Sequence, residues 1–192
     1  MDQNIMRTLS GHTNCILANE KDLRSKRPKS FTALISNIDK VHNLFPGSVL
    51  YYGTFEGSGT VNIAVSNHEI VRYLYLSEIN NWPGSNLEEG ALIGTAGKRH
   101  TLGFEYCTQW KGDSKYPVRV LNRTYYKQNP MDLLDGAYIP PKESNVMYGI
   151  NRPNDLVSLT QEQKKEWSNP FINSDLEIDK RLEAARYNPH AD

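Results

Sequence analysis

The sequence predicts a mainly β protein, an antiparallel β sandwich or open barrel, with a C-terminal polar arm carrying two short helices. Between residues 48 and 109 the chain divides into short runs rich in β-branched and aromatic residues, at regular spacing and parted by turn signals. Helix signals come last, beyond a proline-rich stretch. Short strands joined by tight turns favour antiparallel packing over alternating strand and helix layers.

Ser48–Phe55 and Thr60–Val65 read as two strands, with Glu56-Gly57-Ser58-Gly59 between them as a hairpin turn. Glu69–Leu76 is a third strand, reached through the tight turn Ser66-Asn67-His68-Glu69. Ala91–Gly94 and Leu102–Gln109 complete the set. Within the third strand, Tyr73 and Tyr75 are two residues apart and are expected on one face. After Gly136, Ile139-Pro140-Pro141-Lys142 marks a linker. A short helix is expected from Thr160 to Trp167, stopped by Asn169-Pro170, and a second over Ile178–Tyr187 behind the capping box Ser174-Asp175-Leu176-Glu177. A short lone helix is marginal in water, so the arm needs a surface to pack on. Trp167, Phe171 and Tyr187 are the anchors expected to meet its own domain or a neighbouring subunit. The organisation read from these signals is an N-terminal segment 1–30, a central domain 31–136 and an arm 137–192.

Composition narrows the function without naming it. The 192 residues carry 22 basic and 22 acidic side chains and are 38% hydrophobic. A neutral balance gives no bulk electrostatic case for nucleic acid, although Lys21–Lys29 is a local basic run. No window approaches the ~20 apolar residues of a membrane span, and no signal-peptide-like run follows Met1. Cys15 and Cys107 are too few for a disulfide framework and read as small buried hydrophobes. The glycines Gly84, Gly90 and Gly94 suit turns of any small β barrel. They are not a phosphate loop, because Gly97-Lys98-Arg99-His100 lacks Gly-Lys-Ser/Thr and runs into a strand.

Two blocks carry a family resemblance. Val71–Gly97 reads V-R-Y-L-Y-L-S-E-I-N-N-W-P-G-S-N-L-E-E-G-A-L-I-G-T-A-G, and Pro130-Met131-Asp132-Leu133-Leu134 follows later. This resembles the lysostaphin-like, LytM-type peptidoglycan endopeptidases, in which Y-x-H-L-S, G-x-x-V-x-x-G-x-x-I-G, H-x-H-F-E and P-x-D-L-L occur in that order. Tyr73, Leu76 and Ser77 match, as do Gly84, Leu87, Gly90, Ile93, Gly94, Gly97, Phe104 and Glu105. The resemblance runs from roughly Phe31 to Gly136 and implies a LytM-type β fold.

The zinc chemistry of that family is what the sequence departs from. Thr101 and Gly103 stand where H-x-H supplies a ligand and a catalytic histidine, and Tyr75 stands at the histidine of Y-x-H-L. Counting back from Phe45-Pro46-Gly47-Ser48-Val49 puts the H-x-x-x-D pair at Phe31 and Ile35. A second register, at His12 and Ile16, keeps a histidine and loses the acid. A catalytic zinc takes three protein ligands and an open position for water, and neither register keeps all three, so this departure from the family pattern leads to the expectation of no metal, no cofactor and no catalytic residue here. Tyr73, Tyr75 and Glu105 remain as groove residues able to hold a ligand. His68 and His100 read as surface residues, while His12, His100, Glu105 and Cys107 are the donors from which a rebuilt site could be drawn.

Three functions follow from different classes. The first is a catalytically inactive domain serving as a structural or assembly protein, a phage tail or baseplate component located in the virion, with other protein subunits as partners. The second is a module that binds peptidoglycan without cutting it. The third is an active cell-wall peptidase with a relocated metal site. A cytoplasmic or cell-envelope location is the alternative to the virion.

Overall fold

The structure, a computed structural model, describes residues 1–55, 58–121 and 123–137. The arm's two helices and its anchors Trp167, Phe171 and Tyr187 lie outside the described residues. Within them the chain is mainly antiparallel β sheet with few helices. Helix α1 (Gln3–Ser10) is followed by β1 (Ile16–Leu17), α2 (Glu20–Leu23), β2 (Ala33–Ser36) and β3 (Lys40–His42). Then come β4 (Gly47–Phe55), β5 (Ser58–Ala64), β6 (Glu69–Ile79), β7 (Asn86–Leu87) and β8 (Leu92–Ala96). After a short 3-10 turn at Lys98–His100, β9 (Leu102–Thr108), β10 (Pro117–Val120), β11 (Arg123–Gln128) and α3 (Met131–Leu134) complete the order.

The eleven strands of the described residues form one branched sheet whose main path runs β1-β2-β9-β6-β5-β4-β7, with antiparallel pairing throughout these residues. Strands β6 and β9 are its centre. One edge of β9 pairs with β6 from Gly103 to Thr108. The other edge is divided, with β2 along Leu102–Phe104 and β11 along Tyr106–Thr108. The Ser66–Glu69 turn closes β5 onto β6, with Val65 N donating to Glu69 O at 3.0 Å.

Alternation along the central strands sorts the side chains into two layers. Val71 and Tyr73 of β6, with Leu102, Phe104 and Tyr106 of β9, enter the main core together with Ala33, Ile35, Val61 and Ile63. On the opposite face Ile70 and Cys107 join Leu50, Ala64, Val118, Val120 and Tyr125 in a second cluster beneath the β10–β11 hairpin.

Residues 1–30 contribute directly to the main core through Leu9, Cys15, Leu17 and Leu23. Asp2 caps α1, its Oδ1 accepting from Asn4 N at 2.7 Å, and Asp2 N donates to Leu134 O at 2.9 Å. Arg24 grips Asp135 with two hydrogen bonds of 2.9 and 2.8 Å. The expectation that helices come last missed α1, which Ile5, Met6 and Leu9 pack against the main core and Asp2 caps.

Leu23→Ala removes a side chain that is 1% exposed. It is expected to cost about 2–5 kcal/mol. Urea denaturation of this variant, followed by tryptophan fluorescence, should show one transition shifted as a whole. An unshifted main transition would mean that the N-terminal segment stands apart.

Candidate functional site

Tyr75 interrupts the regular alternation of β6. Leu74 pairs with Thr60 and Leu76 with Gly59, so Tyr75 is an extra residue on its strand, a β-bulge with φ of 66°. Few bulky residues adopt positive φ, at a cost on the order of 1–3 kcal/mol. The bulge is also where β6 changes neighbour. Up to Leu74 it pairs with β9, and from Leu76 it pairs with β8. The Tyr75 carbonyl is held by Gly97 N at 2.7 Å, and a Cβ on Gly97 would lie 2.5 Å from that oxygen. Gly97 is therefore needed for the close approach.

The bulge corrects the expectation that Tyr73 and Tyr75 share a face. Tyr73 is fully buried in the main core, its ring 5.5 Å from that of Phe104. Its hydroxyl accepts from Leu44 N at 2.8 Å and donates to Asn43 Oδ1 at 3.0 Å. Burial raises its pKa above the ordinary tyrosine value, with the Leu44 N–H opposing. Tyr73 therefore lines no groove. Tyr75 turns to the opposite face and lays its ring on Gly103. A Cβ at Gly103 would stand 2.7 Å from Tyr75 Cε2, 2.9 Å from its Cδ2 and 3.1 Å from Leu74 Cβ.

Of the positions where the resemblance places zinc chemistry, the fold thus brings Tyr75 and Gly103 into contact. Thr101, in extended conformation just before β9, is two residues away along the same face, and its hydroxyl donates to Arg99 O at 3.1 Å. Phe31 and Ile35 are elsewhere. Phe31 makes an edge-on contact with Tyr116, the ring centroids 5.1 Å apart. Ile35 pairs with Leu102 and points into the main core, whereas Leu34 is the residue opposite Gly103. Counting from the turn gave the neighbouring strand the wrong parity, and a shift of one residue exchanges faces.

These residues do not fit a zinc ion. Thr101 and Gly103 offer no imidazole or carboxylate, and the Tyr75 ring occupies the space a side chain at 103 would enter. Among the described residues no three of His, Cys, Asp and Glu gather in a way that could hold a metal. His12 Nδ1 accepts from Asn14 N at 3.1 Å, His68 Nδ1 bonds Gln109 Oε1 at 2.8 Å, and His100 sits exposed in the 3-10 turn.

Further along the same face, Glu105 is completely buried and forms the centre of an ion group. Arg72, directly opposite on β6, donates from Nη1 to Glu105 Oε1 at 2.7 Å, and from Nε to Asn62 Oδ1 at 2.8 Å. Lys127 of β11 reaches Oε2 at 2.5 Å. Thr32, just ahead of β2, donates its hydroxyl to the same oxygen. Burial alone would raise the Glu105 pKa, but Lys127 and Arg72 outweigh it and hold the carboxyl below its ordinary value. Nearby Cys107 shows the reverse balance. Burial and the Glu105 charge push its thiol up to about 12 against the pull of Arg72 and Lys127, which favours the protonated form.

Glu105 is consequently a closed structural centre and not a groove residue open to ligand. Sequence reasoning missed Arg72, Lys127 and Thr32. A charged residue inside the apolar run Ile70–Leu74 was the available signal for Arg72.

No family model matches the chain, and no curated protein matches it. Similar solved structures include lysostaphin, the antimicrobial peptidase from Staphylococcus simulans, at 20% identity over 56% of this chain and 44% of that one, with a TM-score of 0.42. LytU matches at 18% identity over 59% of this chain and 78% of its own, with a TM-score of 0.43. The complex of SpoIIIAH and SpoIIQ matches at 16% identity over 54% and 71%, also with 0.43. The chain spans less than half the length of the first lysostaphin chain it matches.

Gly103→Ala is expected to destabilise by about 1–3 kcal/mol, since the new methyl meets the Tyr75 ring. Adding Tyr75→Ala should recover part of that loss, so the pair couples in a denaturation cycle, and strict additivity would deny the contact. Glu105→Gln leaves two buried cations without their counter-charge and is expected to cost about 3–5 kcal/mol. Because the folded carboxyl is depressed, its stabilisation is complete above about pH 5 and fades as acid protonates it. Stability curves of wild type and E105Q should therefore converge on acidification, and parallel curves would contradict this.

Proposed function

We propose that this chain is a catalytically silent domain of LytM-like fold that works as a structural or assembly subunit, with a phage tail or baseplate as its setting. The observation that carries the reading is the Tyr75 ring lying against Gly103. Aromatic carbon and a missing side chain stand where a metallopeptidase needs nitrogen donors around an open, water-filled position. The buried Arg72–Glu105–Lys127 group supports it, because it spends the acidic residue beside that position on holding strands together.

An assembly role also needs surface to offer. Trp82 is 61% and Trp110 50% exposed, and Ile16 and Leu92 are exposed as well. Trp82 and Leu92 are joined through Asn81, whose Nδ2 donates to Leu92 O at 3.0 Å. Large apolar side chains left in water are the usual anchors of protein interfaces.

Purified protein added to cell-wall suspensions is expected to leave turbidity unchanged with zinc and with chelator alike. Zinc-dependent clearing that chelator abolishes would overturn the silent-domain reading. Light scattering coupled to size exclusion should give a mass above that of one chain, reduced by Trp82→Ala. A strictly monomeric protein at high micromolar concentration, with no retained partner, would count against assembly.

A further inference from the structure

The β10–β11 hairpin has a second face that the core does not use. Its inner face buries Val118, Val120 and Tyr125 and sends Lys127 to Glu105. Its outer face carries two cross-strand pairs, Pro117 with Tyr126 and Arg119 with Thr124. Residues 109–116, joining β9 to β10, fold over this outer face. Together they enclose an open cavity of about 440 Å³ lined by Lys111, Ser114, Lys115, Pro117, Arg119, Thr124 and Tyr126.

Three features make this cavity more than a dent between loops. The first is charge. From residue 109 to 128 the chain carries Lys111, Lys115, Arg119, Arg123 and Lys127 against a single acid, Asp113, in a protein whose overall balance is zero. Lys127 is committed to Glu105, while Lys111, Lys115 and Arg119 line the cavity without an ion pair among the described residues. Asp113 is exposed and is not part of the lining.

The second is rigidity. The Gln128 side chain donates to Thr108 Oγ1, Trp110 O and Lys111 O at 3.0, 3.1 and 3.3 Å, pinning the loop to β11. Ser114 N returns to Lys111 O at 3.0 Å, Tyr116 N donates to Ser114 Oγ at 3.2 Å, and Lys127 N donates to Tyr116 O at 2.9 Å. The Tyr116 hydroxyl donates to Pro28 O at 3.2 Å. A cationic cavity on a braced loop loses little freedom when a ligand enters.

The third is the mixture of groups. Beside the cations stand the hydroxyls of Thr124 and Tyr126 and the flat apolar surfaces of Tyr126 and Pro117. Three cations exceed what one carboxylate calls for and suit a phosphate dianion, which Arg and Lys bind with charge-assisted hydrogen bonds. The volume falls in the range of small-ligand sites, about 300–1,000 Å³. It leaves room for a ring beside the phosphate.

We propose that this cavity binds a small phosphate monoester with a sugar-like body, the phosphate held by Lys111, Lys115 and Arg119 and the ring resting on Tyr126. The site is separate from the Tyr75–Gly103 region and does not depend on the chain being catalytically silent. Glucose 6-phosphate, inorganic phosphate and glucose are the probes, added to 15N-labelled full-length protein at fixed ionic strength. Glucose 6-phosphate is expected to give saturable amide shifts centred on residues 111–126, inorganic phosphate the same shifts with weaker affinity, and glucose none.

Arg119→Gln, at an exposed position, should weaken glucose 6-phosphate binding about tenfold and leave the thermal midpoint unchanged. Lys40→Gln, elsewhere on the surface, should leave binding alone. Absence of saturable shifts, shifts spread over all basic surfaces, or equal weakening by Lys40→Gln would overturn the site. Equal affinity for inorganic phosphate and glucose 6-phosphate would overturn the assignment of a sugar-like body.

Discussion

The ion group centred on Glu105 is the constraint on which the arrangement of the sheet depends. It ties four separate segments at one point, since Arg72 comes from β6, Glu105 from β9, Lys127 from β11 and Thr32 from the lead-in to β2. Removing such charges from water costs several kcal/mol each, and the cost is recovered only when every partner is in place. The strand pairings put them in place. Arg72 faces Glu105 directly across β6 and β9, and Lys127 lies opposite Cys107, one step along the face from the acid. A slip of one residue in either pairing would turn one of these charges into the apolar core. The group thus acts against wrong registers as much as for the right one.

With that face closed by ions and by the hairpin above it, the neighbouring Tyr75–Gly103 contact packs the next stretch of the same face. The bulge turns Tyr75 out of the main core and onto the glycine, and the same bulge passes β6 from β9 to β8. One local irregularity therefore sets both the connectivity of the sheet and the packing of Tyr75 on Gly103. The strain of a positive φ at a tyrosine is offset by ring packing and by the Gly97 hydrogen bond to its carbonyl.

Much of the central sheet was legible in the sequence because its signals are local. The strand signals placed β4 and β9 close to their observed limits, whereas β6 runs on past Leu76 to Ile79, β8 past Gly94 to Ala96, and β5 begins at Ser58 within the expected turn; the Ser66–Glu69 turn is present as a hydrogen-bonded reversal. What depended on partners across the sheet was not legible. No local pattern states that Arg72 will face Glu105, or that Ile35 will sit on the opposite face from Gly103. Strict two-residue periodicity misplaced Tyr75, because one inserted residue reverses parity. The β10–β11 hairpin was missed although Pro117-Val118-Arg119-Val120 and Thr124-Tyr125-Tyr126-Lys127 alternate. Short pieces such as β1, β3 and β7 owe their strand character to neighbours and leave little trace in composition.

The most direct test of the account is a zinc titration of chelator-washed protein against a chromophoric competitor, finished by elemental analysis of the gel-filtered product. Packing of Tyr75 on Gly103, with Glu105 already committed to two cations, predicts less than about a tenth of an equivalent of retained zinc. Retention of close to one equivalent, with affinity sufficient to compete, would mean that metal donors converge somewhere in this chain and would contradict the account.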